Sequence, residues 1–137
     1  MKDRYLFRGK RIDNGEWTEG NLFYAHHAEY GEIYGVSISV DNRAKPYKTH
    51  EIDPATIGHC TGLKDKNGRL IFEGDILDKG YDICVVAWFG VWASFEPSKG
   101  GKAYGNSGNL CSWARNGEII GNIHDNPELM EVTKCEV

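Results

Sequence analysis

At 137 residues the chain has room for one domain or two closely packed lobes, and 40% hydrophobic with 12% aromatic residues place it among folded globules rather than disordered chains. The net charge of −4 argues against a protein that coats nucleic acid non-specifically, because such binding rests on Lys and Arg neutralising phosphates. No apolar run reaches the roughly 20 residues that span a bilayer, and the first residues lack the apolar core of a signal peptide, so no membrane partner and a cytoplasmic location are expected.

Residues 5–12 predict a first β-strand, 13–15 a turn ending in Asn14-Gly15, and 16–24 the return strand, with Gly20 marking a bulge or bend. Residues 25–31 (AHHAEYG) read as a short polar connection. Over 33–40 the pattern sets Val36, Ile38 and Val40 against Ser37 and Ser39, which predicts a strand with one buried and one wet face. Residues 41–46 break it. A further strand over 47–52 ends at Asp53-Pro54, since the residue before proline is held extended and proline has no N–H to give a ladder. Asp53 as cap with Pro54 in the first position predicts one helical turn within 53–58.

Residues 59–77 (HCTGLKDKNGRLIFEGDIL) hold two β-compatible runs joined by Asn67-Gly68, the pair that best tolerates the positive φ angles of a type I′ hairpin turn. Gly74 then predicts a kink in the return strand, as where a small barrel turns a corner. After a turn at 79–82, the run 83–89 (ICVVAWF) predicts a strand covered on both faces, and 91–95 its hairpin partner. Four Gly and one Pro in 96–108 predict one long flexible loop. Residues 110–114 and 118–124 read as the last strands, joined through Asn116-Gly117. Asn126 as cap and Pro127 behind it predict a short terminal helix over 126–130. The sum is an all-β domain of short antiparallel strands with no internal repeat.

The runs TGLKDKNGRLIFEGDIL at 61–77 and IIGNIHDNPEL at 119–129, with FRGKRIDNGEW at 7–17, resemble the YopX family of phage and prophage proteins. The resemblance spans nearly the whole chain. It implies a mostly β fold in two packed lobes, 1–55 and 56–137, the second an SH3-like small barrel. It implies a bacterial host cell as the setting, and it supplies no assigned activity and no catalytic residues.

Chemistry-bearing residues are sparse. Cys60, Cys84, Cys111 and Cys135 lie far apart with no C-x-x-C pair, which argues against a zinc site and leaves free thiols acting as small hydrophobes. Glu73 and Asp75, two apart, would share one strand face and could hold a divalent metal or divide acid and base roles. The plainer alternative is that Asp75 bonds backbone amides at the Gly74 bend. His26, His27, His50, His59 and His124 are scattered, and the glycine-rich stretch lacks the Lys-Ser/Thr of a P-loop. No catalytic residue, metal or cofactor is expected, and the chain reads as a non-enzyme. A basic start (Lys2, Arg4, Arg8, Lys10, Arg11) and an acidic end could pair between lobes or subunits, or stand as two solvated faces.

Aromatic residues beside basic ones give the strongest lead: Lys99, Lys102 and Tyr104 in the predicted loop and Trp113 on a predicted strand, with Trp88 and Trp92 near in sequence. Small β-barrels bind nucleic acid or peptides through aromatics next to a basic loop. Alternatively the tryptophans fill the core, as expected for at least two of these three. The reading is a phage- or prophage-derived protein that works by macromolecular binding or self-assembly, with homo-oligomers covering exposed strand edges. A nucleic-acid-binding SH3-like barrel module is the alternative.

Overall fold

The computed structural model describes residues 6–29, 31–38, 48–99, 102–103 and 109–130. The fold is mostly antiparallel β, with one short helix, and the chain divides into two compact units, Met1–Cys60 and Thr61–Val137.

The first unit holds β1 (Phe7–Lys10), β2 (Trp17–His27), β3 (Gly31–Ile38), β4 (Lys48–Glu51), a 3-10 turn (Pro54–Thr56) and the start of β5 (Gly58–Lys64). Its strands lie in the order β4-β3-β2-β1-β5. β2 is longer than expected: it pairs with β1 over Trp17–Gly20 and with β3 over Asn21–His27, so residues 25–27 are strand rather than connection. Gly20 sits where β2 changes partner, and the register on either side continues without a bulge. Val36, Ile52 and Cys60 are fully shielded from solvent and form the apolar centre of this unit. The turn after β4 forms as the sequence requires: Asp53 accepts from the Ala55 amide, and the Thr56 hydroxyl donates to the Asp53 carbonyl while accepting from the Lys10 amide. The expected break at 41–46 lies outside the described residues.

The second unit continues β5 into a hairpin with β6 (Leu70–Phe72) and adds β7 (Asp75–Asp78), β8 (Ile83–Phe89), β9 (Ser94–Lys99), β10 (Lys102–Ala103), helix α1 (Leu110–Asn116) and β11 (Glu118–Asn122). Five of these form an antiparallel sheet in the order β10-β9-β8-β7-β11, a meander whose last strand returns to pair with its first. Ile71, Leu77, Cys84 and Val86 supply the sheet side of the core, and Leu110, Trp113 and Ala114 supply the helix side.

Four expectations change here. The turn between β5 and β6 is not type I′, since Asn67 keeps a negative φ and Gly68 alone takes +82°. The Gly68 amide donates to the Asp65 carbonyl and the Asp65 amide to the Arg69 carbonyl, the pattern of a three-residue loop closed by a left-handed glycine. Residues 110–114 form a helix rather than a strand, because Leu110, Trp113 and Ala114 recur at i, i+3 and i+4 and all face the core. Asn109 caps that helix by accepting from the Ser112 amide, and Gly117 ends it by donating to the Trp113 carbonyl, so Asn116-Gly117 closes no hairpin. The run 83–89 alternates, with Cys84 and Val86 buried and their neighbours half-exposed, instead of being covered on both faces. Finally, 91–95 is mostly turn and the stretch 96–99 is strand, so the predicted long loop is shortened from its start; residues 100–101 and 104–108 lie outside the described part.

The bend at Gly74 is present. Glu73-Gly74 forms the turn between β6 and β7, with Gly74 at φ +93°, a region closed to most side chains. Asp75, almost fully buried, accepts from the Phe72 amide at 2.7 Å, and the Gly74 amide donates to the Val86 carbonyl. The terminal helical turn is seen over 128–130, where the Leu129 amide donates to the Asn126 carbonyl.

Candidate functional site

The residues singled out from sequence do not converge. Trp113 is completely buried in α1, with the Lys79 ammonium 4.2 Å above its ring, and it presents no surface. Lys99 ends β9 and forms an ion pair with Asp82. Lys102 lies on the edge strand β10, with its side chain outside the described part, and Tyr104 also lies outside it. The expectation that at least two of Trp88, Trp92 and Trp113 fill the core is overturned. Only Trp113 does, because Trp88 stands at the end of β8 where the core runs out and Trp92 stands in the turn beyond it.

What the fold gathers instead is an apolar hairpin tip. The chain leaves β8 at Phe89, passes through Gly90, Val91, Trp92 and Ala93, and enters β9 at Ser94. Two backbone hydrogen bonds close the turn, from the Trp92 amide to the Phe89 carbonyl and from the Ala93 amide to the Gly90 carbonyl. Val91 is 92% exposed, Trp92 59% and Trp88 47%. Trp88 lies opposite Phe95 in the ladder and the two rings meet edge to face at 5.0 Å. Phe89 and Trp92 meet at 5.7 Å. Thus each aromatic at the tip is steadied by another, while a large apolar area remains in water. Trp88 and Phe89, neighbours along β8, face opposite sides of the sheet, so the Trp88–Phe95 and Phe89–Trp92 pairs are separate features of one hairpin end. Single exposed apolar side chains are ordinary, while several at one end make it a candidate interaction surface.

A groove of about 280 Å³ lies in the same unit, lined by Thr61 and Leu63 of β5, Phe95 and Glu96 of β9, and Asn109, Leu110 and Cys111 at the start of α1. Phe95 belongs to both features. Its ring takes the edge of Trp88 and also walls the groove. Glu96, the one charged residue of the lining, accepts from the Ser94 hydroxyl at 2.9 Å.

The acidic candidates have structural work. Asp75 is engaged with the Phe72 amide, as the plainer reading held. Glu73 sits in the turn, not on a strand face beside it. A third carboxylate, which the sequence reading passed over, does more: Asp65 is buried, its Oδ1 accepts from the Asn67 and Arg69 amides, and its Oδ2 accepts from the Ile119 amide. Burial pushes its carboxyl up, but those three donors and the nearby Arg69 charge outweigh burial and hold it below the usual carboxylate range. The available signal was Asp two residues before Asn-Gly, the spacing of an Asx turn. Cys60 and Cys84 are buried and Cys111 is exposed; burial, aided by the Asp82 charge, pushes the Cys84 thiol up to about 12, which keeps it protonated near neutral pH. His59 stacks on Phe7 at 4.4 Å within the first unit. Also in that unit, the Arg8 guanidinium and the Lys10 ammonium both lie over the Trp17 ring, at 4.7 and 5.7 Å. Among the described residues no three His, Cys, Asp or Glu side chains are grouped to hold a metal, and no helix is long and apolar enough to cross a membrane.

The family model described as YopX protein matches residues 6–131. The chain belongs to the YopX family. Among solved structures, this YopX-family chain is similar to protein EF1440 from Enterococcus faecalis, with 27% sequence identity, a TM-score of 0.52, and coverage of 90% of this chain and 96% of that one. No curated protein matches it.

Proposed function

We propose that this YopX-family chain is a phage- or prophage-derived, non-enzymatic protein of the bacterial host cytoplasm that works by binding a macromolecule or by self-assembly, through the β8–β9 hairpin tip. The observation that carries this reading is the exposure of Val91, Trp92 and Trp88 together at one turn. Leaving that apolar surface in water forgoes about 25 cal/mol for each Å², and a binding surface is the economical reason to keep it. The non-enzymatic reading is supported by the engagement of Asp65 and Asp75 with backbone amides. The SH3-like barrel reading of the second unit draws on the family resemblance and on the five short antiparallel strands β10-β9-β8-β7-β11, with β10 and β11 at the two edges of the sheet.

Binding to nucleic acid draws less support, because Lys99 is paired with Asp82 and residues 83–95 carry no charge to meet a phosphate. Native mass spectrometry on gently purified protein tests the reading. A homo-oligomer or a bound macromolecule that disappears in the Trp88→Ser, Trp92→Ser double variant supports it. A bare monomer, or an adduct of metal or small-molecule mass that the double variant retains, would sink it.

A further inference from the structure

We propose that Asn14-Gly15 is a modification site, where the chain's own Gly15 amide and then water convert Asn14 to aspartate or isoaspartate, while the fold shields its other two Asn-Gly pairs. The step balances within the chain. The Gly15 nitrogen loses its proton and bonds to the side-chain carbonyl carbon of Asn14, the bond from that carbon to Nδ2 breaks, and ammonia leaves. Water then opens the cyclic imide at either carbonyl. Glycine has no Cβ to hinder the attack, which singles out Asn14-Gly15, Asn67-Gly68 and Asn116-Gly117.

Each glycine amide is already donating: Gly15 to the Arg11 carbonyl at 2.9 Å, Gly68 to that of Asp65 at 3.0 Å and Gly117 to that of Trp113 at 2.8 Å. An amide held in this way keeps its proton, so all three reactions wait for local opening. The cost of opening differs from site to site. Gly117 is buried, and freeing it unwinds the end of α1, whose Leu110, Trp113 and Ala114 face the core. Freeing Gly68 disturbs the loop built on Asp65, a buried carboxylate that accepts from the Asn67 and Arg69 amides and is costly to leave unbonded.

The Asn14 turn has no such anchor. Residues 12–16 are all exposed, and among the described residues the Asn14 side chain is bonded to Glu16 alone, its Oδ1 accepting from the amide and its Nδ2 donating to the carboxylate at 3.3 Å. Exposed polar contacts of this kind contribute little to stability. The Ile12 amide donates to the Glu51 carbonyl, so the strand ends stay anchored while 13–15 move. The product disturbs the same turn. A carboxylate at 14 faces the Glu16 carboxylate to which the amide had donated, and isoaspartate lengthens the loop by one backbone carbon.

Incubating the folded full chain at mildly alkaline pH and mapping its peptides by mass spectrometry reads all three sites at once. Asn14 is expected to convert about tenfold or more faster than Asn67 or Asn116. In strong urea the three rates are expected to converge, since the fold and not the neighbouring sequence sets the order. Asn67 or Asn116 keeping pace with Asn14 in the folded protein would overturn the assignment, as would an order that persists in urea. Asp65→Asn supplies a second measurement. It is expected to raise conversion at Asn67 about tenfold and to leave Asn116 unchanged. No rise at Asn67, or an equal rise at Asn116, would overturn the shielding by Asp65.

Discussion

The β5–β6 and β8–β9 hairpins belong to one unit and both turn within a few residues, yet their tips are made of opposite materials. The first tip is Lys66, Asn67 and Gly68, polar and exposed, and Asp65 beneath it ties both strand ends and the Ile119 amide into one buried carboxylate. The second is Gly90, Val91, Trp92 and Ala93, apolar and exposed, held by two backbone hydrogen bonds and ring contacts. Water suits the first tip and penalises the second. A fold selected for stability alone would build both like the first, so the second is where another surface is expected to come.

The largest effect separates two tryptophans. Trp113→Ala leaves a cavity among Ile71, Leu77, Cys84 and Val86 and is expected to cost about 3–5 kcal/mol, read as a fall in the urea midpoint. Trp92→Ala removes a side chain mostly in water and is expected to change stability by about 0.5 kcal/mol or less. Equal losses at the two positions would mean that the tip is core after all and would end its assignment as a binding surface.

Next in size is Asp65→Asn, which turns an acceptor-only group into one whose amide faces three N–H donors. The expected cost is about 1–3 kcal/mol. The pH dependence has a definite sign. The folded carboxyl lies below its ordinary value of 3.8, so its stabilisation is fully present above that value and is lost as pH falls through the lower folded one. Denaturant titrations of wild type and variant should therefore differ by a constant amount near neutrality and converge in acid. A gap that persists in acid would move the cause away from ionisation.

Within the second sheet β7, β8 and β11 were legible in the sequence, through the Gly74 bend, the apolar run 83–89 and the run 118–124. Most of β9 and all of β10 lie instead in the Gly-rich stretch that reads as loop. Helix α1 was hidden by its length: seven residues between a capping Asn109 and Gly117 offer only one i, i+3, i+4 set, and Asn116-Gly117 imitates a hairpin. The tip was misread for the reverse reason. Gly90 marks the turn, but Val91-Trp92-Ala93 after it has strand composition, so the sequence places the return strand three residues too early. Lys99 and Trp113 looked like surface residues because a sequence does not show that Asp82 and the α1 core claim them.

The smallest expected effects come from the turn residues themselves. Gly68 and Ala93 both take left-handed backbone angles, +82° and +50°, and Ala93 is the one non-glycine residue to do so among those described. Gly68→Ala introduces a Cβ into that conformation and is expected to cost about 1 kcal/mol. No atom within 4 Å of the added Cβ complicates the result, so the loss reports backbone strain alone. Ala93→Gly runs the other way. Relief of about 1 kcal/mol of strain is offset by the about 0.4–1 kcal/mol that glycine's freedom adds to the unfolded chain. Thermal denaturation should therefore move little. Association through the tip should weaken, however, since a glycine at 93 loosens the turn that presents Val91 and Trp92. A variant with unchanged melting and weaker association would separate the tip's role in binding from the stability of the sheet beneath it.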